Sequence, residues 1–210
     1  VMKARLLREH WTLIVNRPET ANLKSFRAGD FQSVNIREAK TRLESIVQEA
    51  LTQAEYECFL RLSDHRNRVV HFYHPGNTGD KTALEKIVAE QCLAWYHVSR
   101  LFERWSEHFQ SYKKEIAKLD KAMHNHRKFL KAKFGALAED IKTLKKRGIT
   151  FSVCPSCGFK SFGEESTESP ILDYECLVCK ARHTGLMVDC PQCGVKNKLI
   201  GEPWHKCNKC

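Results

Sequence analysis

Apolar residues recur at three- and four-residue intervals through most of the first 147 positions, then give way to short β-branched and aromatic runs punctuated by cysteine and glycine. The first pattern is that of helices with one buried face, the second that of small β modules. Leu6, Leu7, Trp11, Leu13 and Ile14 predict a helix over 3–15, stopped by Pro18. From Asn16 to Asn35 no period is sustained and a loop is expected, with Asn35 placed to cap the next helix. Ala39, Leu43, Ile46, Val47, Ala50, Leu51, Ala54, Cys58 and Leu62 then predict one long helix from Ile36. Ser63 and Asp64 offer a cap for a short further helix that must end near His74, because Pro75 disfavours helical geometry in the residue before it. The PGNTGD stretch reads as a loop. A second long period, from Lys81 through Leu84, Ile87, Cys92, Trp95, Val98, Leu101, Phe102 and Trp105 to Phe109, has the aromatic weight of a central core helix.

From Lys113 to Arg147 twelve Lys or Arg stand against four Asp or Glu, threaded by Ile116, Leu119, Met123, Leu130, Phe134, Leu137, Ile141 and Leu144. The period slips between His126 and Phe134, as in a coiled-coil stutter. Such a basic helix with one apolar seam fits pairing with a symmetry mate or packing on the bundle, and its charge fits a solvated face or a lie along RNA. Gly148 ends the pattern. The organisation expected is a helical domain over 1–112, a basic helical extension or coiled coil over 113–148, and two small cysteine modules over 149–184 and 185–210.

Composition sharpens this in two ways. No apolar run approaches the roughly 20 residues that span a bilayer, and the charged opening segment is unlike a signal peptide, so a soluble, cytoplasmic protein without a membrane partner is expected. The formal charge of +10 falls to +6 once eight thiolates and two divalent ions are included, which still suits a phosphate-backbone partner.

Eight of the ten cysteines fall in Cys-x-x-Cys pairs within the last 57 positions, which is metal-ligand rather than disulfide spacing. Cys154 and Cys157 pair with Cys176 and Cys179, and Cys190 and Cys193 with Cys207 and Cys210. Four thiolates in tetrahedral array leave no place for water, so two structural Zn²⁺ ions are expected. An iron–sulfur cluster or redox dithiols draw on the same residues. Gly158 and Gly194 follow the first knuckles and ease their turns. His183 and His205 are not needed as ligands. The modules resemble zinc ribbons, whose main role in so small a unit is folding; Phe159, Lys160, Phe162, Lys196, Lys198 and Trp204 are candidate contacts to a nucleic acid or protein. Cys58 and Cys92 lie in apolar helical patterns and are expected to be buried thiols.

Arg66-Asn67-Arg68-Val69-Val70-His71 lies between a long helix and a loop, with Asn67 and His71 on one helical face and Arg66 at its margin. The segment resembles the HEPN superfamily of helical bundles, whose motif is Arg, a polar residue often Asn, then His, with four to six residues separating Arg from His. The resemblance covers about residues 1–112. It implies a dimer whose two motifs form a composite, metal-independent ribonuclease site: His71 as general base or acid at the ribose 2′-hydroxyl, Arg66 stabilising charge on the phosphorane-like transition state, and Asn67 orienting either. The products would carry a 2′,3′-cyclic phosphate and a 5′-hydroxyl. Arg68 and His74 satisfy the spacing too, and Phe72 stands before Tyr73 where the family often has Gly. Family context implies roles as a toxin or phage-defence effector, with an antitoxin or defence-system partner. Members that have lost cleavage suggest the alternative, a non-catalytic adaptor that dimerises and binds nucleic acid or protein. No HExxH, GKS/T phosphate loop or Rossmann fingerprint is present.

Overall fold

In a computed structural model the chain is mainly helical, with small antiparallel sheets toward its C-terminus. The structure describes residues 1–70, 80–164, 171–200, 207 and 209. It divides into two compact units, Val1–Phe129 and Leu130–Cys210. The division falls upstream of Gly148, where the composition changes, so the end of the basic segment belongs with the cysteine modules. Among the described residues no helix is long and apolar enough to cross a membrane.

The first unit opens with α1 (Met2–Glu9), shorter than the helix expected over 3–15. His10 is extended, its ring accepts from the Thr12 amide, and Trp11–Ile14 forms a 3-10 turn. The stretch expected as loop from Asn16 to Asn35 contains a 3-10 turn at Pro18–Thr20 and α2 (Leu23–Ala28). Asn22 accepts from the amides of Lys24 and Ser25 to start α2, and Gly29 at φ 76° ends it, a backbone angle that glycine adopts without strain. Asn35 caps α3 (Ile36–Arg42) as expected, reciprocated by Glu38 in a full capping box.

The single helix expected from Ile36 is broken. α3 widens into a π turn at Leu43–Val47, Gln48 adopts a left-handed conformation at φ 61°, and α4 (Gln53–Val70) starts afresh. Two things outweigh the unbroken periodicity. Thr52 and Glu55 exchange side-chain and amide hydrogen bonds of 2.8 and 3.2 Å, a capping box that restarts the helix. The turn also delivers Glu49 to the buried Arg5, whose Nε and Nη2 donate to both carboxylate oxygens at 2.9 and 2.8 Å. At the other end Ser63 and Asp64 cap nothing; α4 runs through them to Val70. The ending expected near His74 and the PGNTGD stretch before Asp80 lie outside the described residues.

Asp80 caps α5 (Lys81–Arg104), which stops short of Phe109 and passes into a 3-10 segment at Ser106–Tyr112. α4 and α5 run antiparallel, tied by Glu55 to Arg104 at 3.0 Å and by His65 to Glu90. Leu6, Val34, Leu43 and Leu101, all at 0% exposure, pack with Trp105 and Phe109 into the core of this unit. Each such side chain contributes about 1.5–3 kcal/mol by leaving water. The continuous basic helix expected over Lys113 to Arg147 is three helices: α6 (Lys113–His124), α7 (Arg127–Ala136) and α8 (Ala138–Lys146). The slip in periodicity is therefore a break between helices at Asn125 and His126.

In the second unit Gly148, at φ 92°, ends α8. β1 (Thr150–Val153) then pairs with β2 (Lys160–Glu164), and β3 (Ile171–Glu175), β4 (Arg182–Asp189) and β5 (Lys196–Ile200) form an antiparallel meander. Phe162, at 0% exposure, packs on Tyr174 with ring centroids 4.9 Å apart, and Phe134 of α7 stacks on Phe159 at 5.0 Å.

Candidate metal centres

Among the described residues three knuckles are built by the same backbone bonds. In the first, the Cys154 amide donates to the Phe159 carbonyl at 2.9 Å and the Gly158 amide to the Cys154 carbonyl at 2.8 Å. The pair Cys190 to Val195 and Gly194 to Cys190 repeats those distances, and Cys176 to Ala181 with Lys180 to Cys176 is a third copy at 2.9 Å each. The residue after the second cysteine must adopt positive φ. Gly158 (71°) and Gly194 (68°) do so freely, whereas Lys180 (61°) carries a Cβ there.

These turns bring Cys154, Cys157, Cys176 and Cys179 together, and likewise Cys190, Cys193 and Cys207, with the sulfurs of each group within 4.8 Å of one another. Cys210, the expected fourth ligand of the second group, lies outside the described residues. Sulfur separations of 3.7 Å (Cys154–Cys179), 3.6 Å (Cys157–Cys176) and 3.5 Å (Cys193–Cys207) are far from a disulfide, near 2.05 Å. They approach the edge of a tetrahedron with metal–sulfur bonds of about 2.3 Å, roughly 3.8 Å. Both groups are thus close enough to bind metal, as zinc binding requires. Amides point at the sulfurs as well, Cys179 to Cys176 at 3.5 Å and Lys209 to Cys207 at 3.4 Å.

The metal-free thiols of the first group are unlike one another. Burial pushes Cys157 up to about 11 and Cys179 higher still. Burial also acts against the Cys176 thiolate, but the Ser161 hydroxyl and the amides of Cys179 and Val178 outweigh it and bring that thiol down to about 7. Metal uptake must therefore displace the protons that Cys157 and Cys179 hold at neutral pH. His183 is no ligand in this group: its Nε2 pairs with Ser156 Oγ at 3.0 Å and its ring meets Phe162 edge-on.

No protein-family model, curated protein or solved structure matches this chain.

The other expected site falls at the end of α4. Arg66, Asn67 and Arg68 occupy its last turns, all exposed. His71 and His74 lie outside the described residues, as do Trp204 and His205. Of the other candidate contacts, Lys160 and Lys196 open β2 and β5, Lys198 lies within β5, and Phe162 is fully buried. Cys58 and Cys92 are free thiols, 1% and 7% exposed, with burial pushing both up. Sequence reasoning missed the His65–Glu90 pair, which bridges α4 to α5 one residue before Arg66. It also missed Ser161 and Asn197, polar yet 0% and 4% exposed beside the cysteine clusters.

Proposed function

We propose that this chain is a metal-independent endoribonuclease of HEPN type whose two C-terminal ribbons each hold a structural Zn²⁺. The observation that carries the nuclease reading is the exposed Arg66–Asn67 pair in the terminal turn of α4, open to a polyanion. Val69, Val70 and Leu84 are more than half exposed. The antiparallel run of α4 and α5 puts the start of α5 beside the end of α4, so these residues offer an apolar face to a second copy, which supports a homodimer with paired motifs. His71 takes the proton of the ribose 2′-hydroxyl, Arg66 meets the charge on the phosphate, and Asn67 orients one of them. Arg68 with His74 is the alternative pair. The zinc reading rests on one group of four sulfurs and one of three, each close enough to share an ion; Cys210, in the sequence position of a fourth ligand, would complete the second. Basic helices α6 to α8 suit RNA as the partner, and a role as a toxin or phage-defence effector, restrained by a partner protein, accords with the family.

The test is brief incubation of the purified chain and of its His71→Ala variant with a mixed RNA pool in EDTA, followed by end-group analysis. Cleavage by the parent alone, leaving 2′,3′-cyclic phosphates, is expected. Retained cleavage by the variant removes His71 from the site. RNA bound but left intact by the parent replaces the nuclease with an adaptor.

A further inference from the structure

The two ribbons share more than their cysteines. Cys154-Pro-Ser-Cys-Gly-Phe-Lys-Ser161 and Cys190-Pro-Gln-Cys-Gly-Val-Lys-Asn197 align residue for residue, and each ends on a small polar side chain four positions beyond the second ligand. Both side chains are buried, Ser161 at 0% and Asn197 at 4%. Burying a hydroxyl or an amide is unfavourable unless it is hydrogen-bonded, so each must have partners. The partners are equivalent. Ser161 Oγ lies 3.1 Å from Cys176 Sγ and 3.4 Å from the Phe159 carbonyl. Asn197 Nδ2 lies 3.5 Å from Cys207 Sγ and 2.8 Å from the Val195 carbonyl. In both ribbons the carbonyl belongs to the residue two before, and the sulfur belongs to the cysteine that opens the second knuckle.

We infer that Ser161 and Asn197 are positioning residues of the two metal centres, each donating a hydrogen bond to one ligand sulfur, Cys176 and Cys207. This rests on the zinc reading. A metal-bound thiolate has no proton, so the donor in each contact has to be the serine hydroxyl or the asparagine amide. A serine has one proton to give, and the shorter approach to sulfur than to the carbonyl assigns it to Cys176. Asparagine has two N–H groups and serves carbonyl and sulfur together. The bond reaches from the first knuckle's strand to the sulfur that opens the second and so fixes that sulfur's orientation. It also draws charge from the sulfur, leaving it a weaker nucleophile. Outer-shell hydrogen bonds of this kind are worth about 10–100-fold in metal affinity. The closer contact of Ser161 makes the first ribbon the more dependent of the two.

The experiment uses the full chain with Ser161→Ala, Ser161→Thr and Asn197→Ala. Metal content of the parent is measured first; absence of zinc there defeats the zinc reading itself. With zinc present, competition against a chromophoric chelator should show Ser161→Ala binding one of its two equivalents about 10–100-fold more weakly, with Thr, which keeps the hydroxyl, restoring it. In the cobalt-substituted protein the sulfur-to-metal charge-transfer band should move to lower energy in Ser161→Ala, because an unbonded thiolate gives up its electrons more readily, and return in Ser161→Thr. Asn197→Ala should shift the band less. Alkylation mapped by mass spectrometry should reach Cys176 earlier in Ser161→Ala than in the parent. An affinity and band unchanged in Ser161→Ala, or lowered affinity that Thr leaves uncorrected with no band shift, overturns the inference. If Ser161→Ala takes up no metal at the first ribbon, the same readings on Asn197→Ala decide.

Discussion

Replacing Arg5 by Met tests whether the break after the π turn is held from a distance. Arg5 is 2% exposed and makes three charge-assisted bonds, two to Glu49 at 2.9 and 2.8 Å and one to Glu9 at 2.6 Å. Burial disfavours its guanidinium, but hydrogen bonds and charge from Glu49 and Glu9 outweigh that and raise its pKa above the ordinary arginine value. Removing one partner of a fully buried ion pair costs about 3–5 kcal/mol, chiefly because the remaining charge is stranded. Here the stranding is partial. The Glu49 and Glu9 side chains are 29% and 44% exposed and can rehydrate. The i,i+4 pair with Glu9 is worth only about 0.3–0.5 kcal/mol. Met retains an unbranched apolar stem in place of the Arg5 one, so most of the loss is electrostatic. The expected loss is thus about 2–3 kcal/mol, a fall in Tm of roughly 6–12 °C for a unit of this size. Thermal and urea denaturation of the full chain would measure it, with Glu49→Gln and the double variant completing a cycle. A loss below about 0.5 kcal/mol, or no coupling between positions 5 and 49, would refute the claim that this pair sets the turn.

Lys180→Gly relieves the left-handed conformation at φ 61° and gives up only an exposed 3.3 Å contact to Glu175, so the first ribbon should gain roughly 0.5–1 kcal/mol, seen as slower zinc loss to a chelator. His97 is held below its usual 6.5 by burial; nearby Glu55 opposes this, while Arg100 and Arg61 add to it. The unfolded chain therefore takes up the proton first, and stability present above about pH 6.5 is lost as pH falls through the folded value. His97→Gln should flatten that acid limb, and an unchanged limb would exclude His97 as its source. Because Cys157 in the metal-free cluster titrates near 11, zinc uptake at neutral pH should release protons, measurable by calorimetry in buffers of different ionisation enthalpy; uptake without proton release would contradict the ligand set.

The cysteine clusters were legible because their determinants are local. Cys-x-x-Cys fixes two ligands in one turn, and Gly158 and Gly194 announce the positive φ that the turn needs. The helical faces were legible for the same reason, and so was the cap at Asn35. What periodicity hid was decided by contacts distant in sequence. Nothing in Leu43 to Leu51 reveals that Glu49 will be drawn to Arg5, 44 residues earlier. Nor does Ser63-Asp64 show that α4 continues past them to pair His65 with Glu90. Some signals were present but outweighed: Asn22 and Gly29 bracket α2 where too few apolar positions set a period, and Thr52 with Glu55 spells a capping box inside what looked like one helix. Ser161 and Asn197 were readable as well, as matched positions in the two cysteine motifs, though only their burial shows why they matter.

If two four-sulfur zinc centres organise the C-terminal unit, native mass spectrometry of the intact chain, before and after brief acidification, tests it at the source. Two zinc ions per chain, lost together with protection of eight cysteines from alkylation, is the expected result. A chain that carries no zinc, or one whose eight cysteines alkylate freely in the native state, would contradict it.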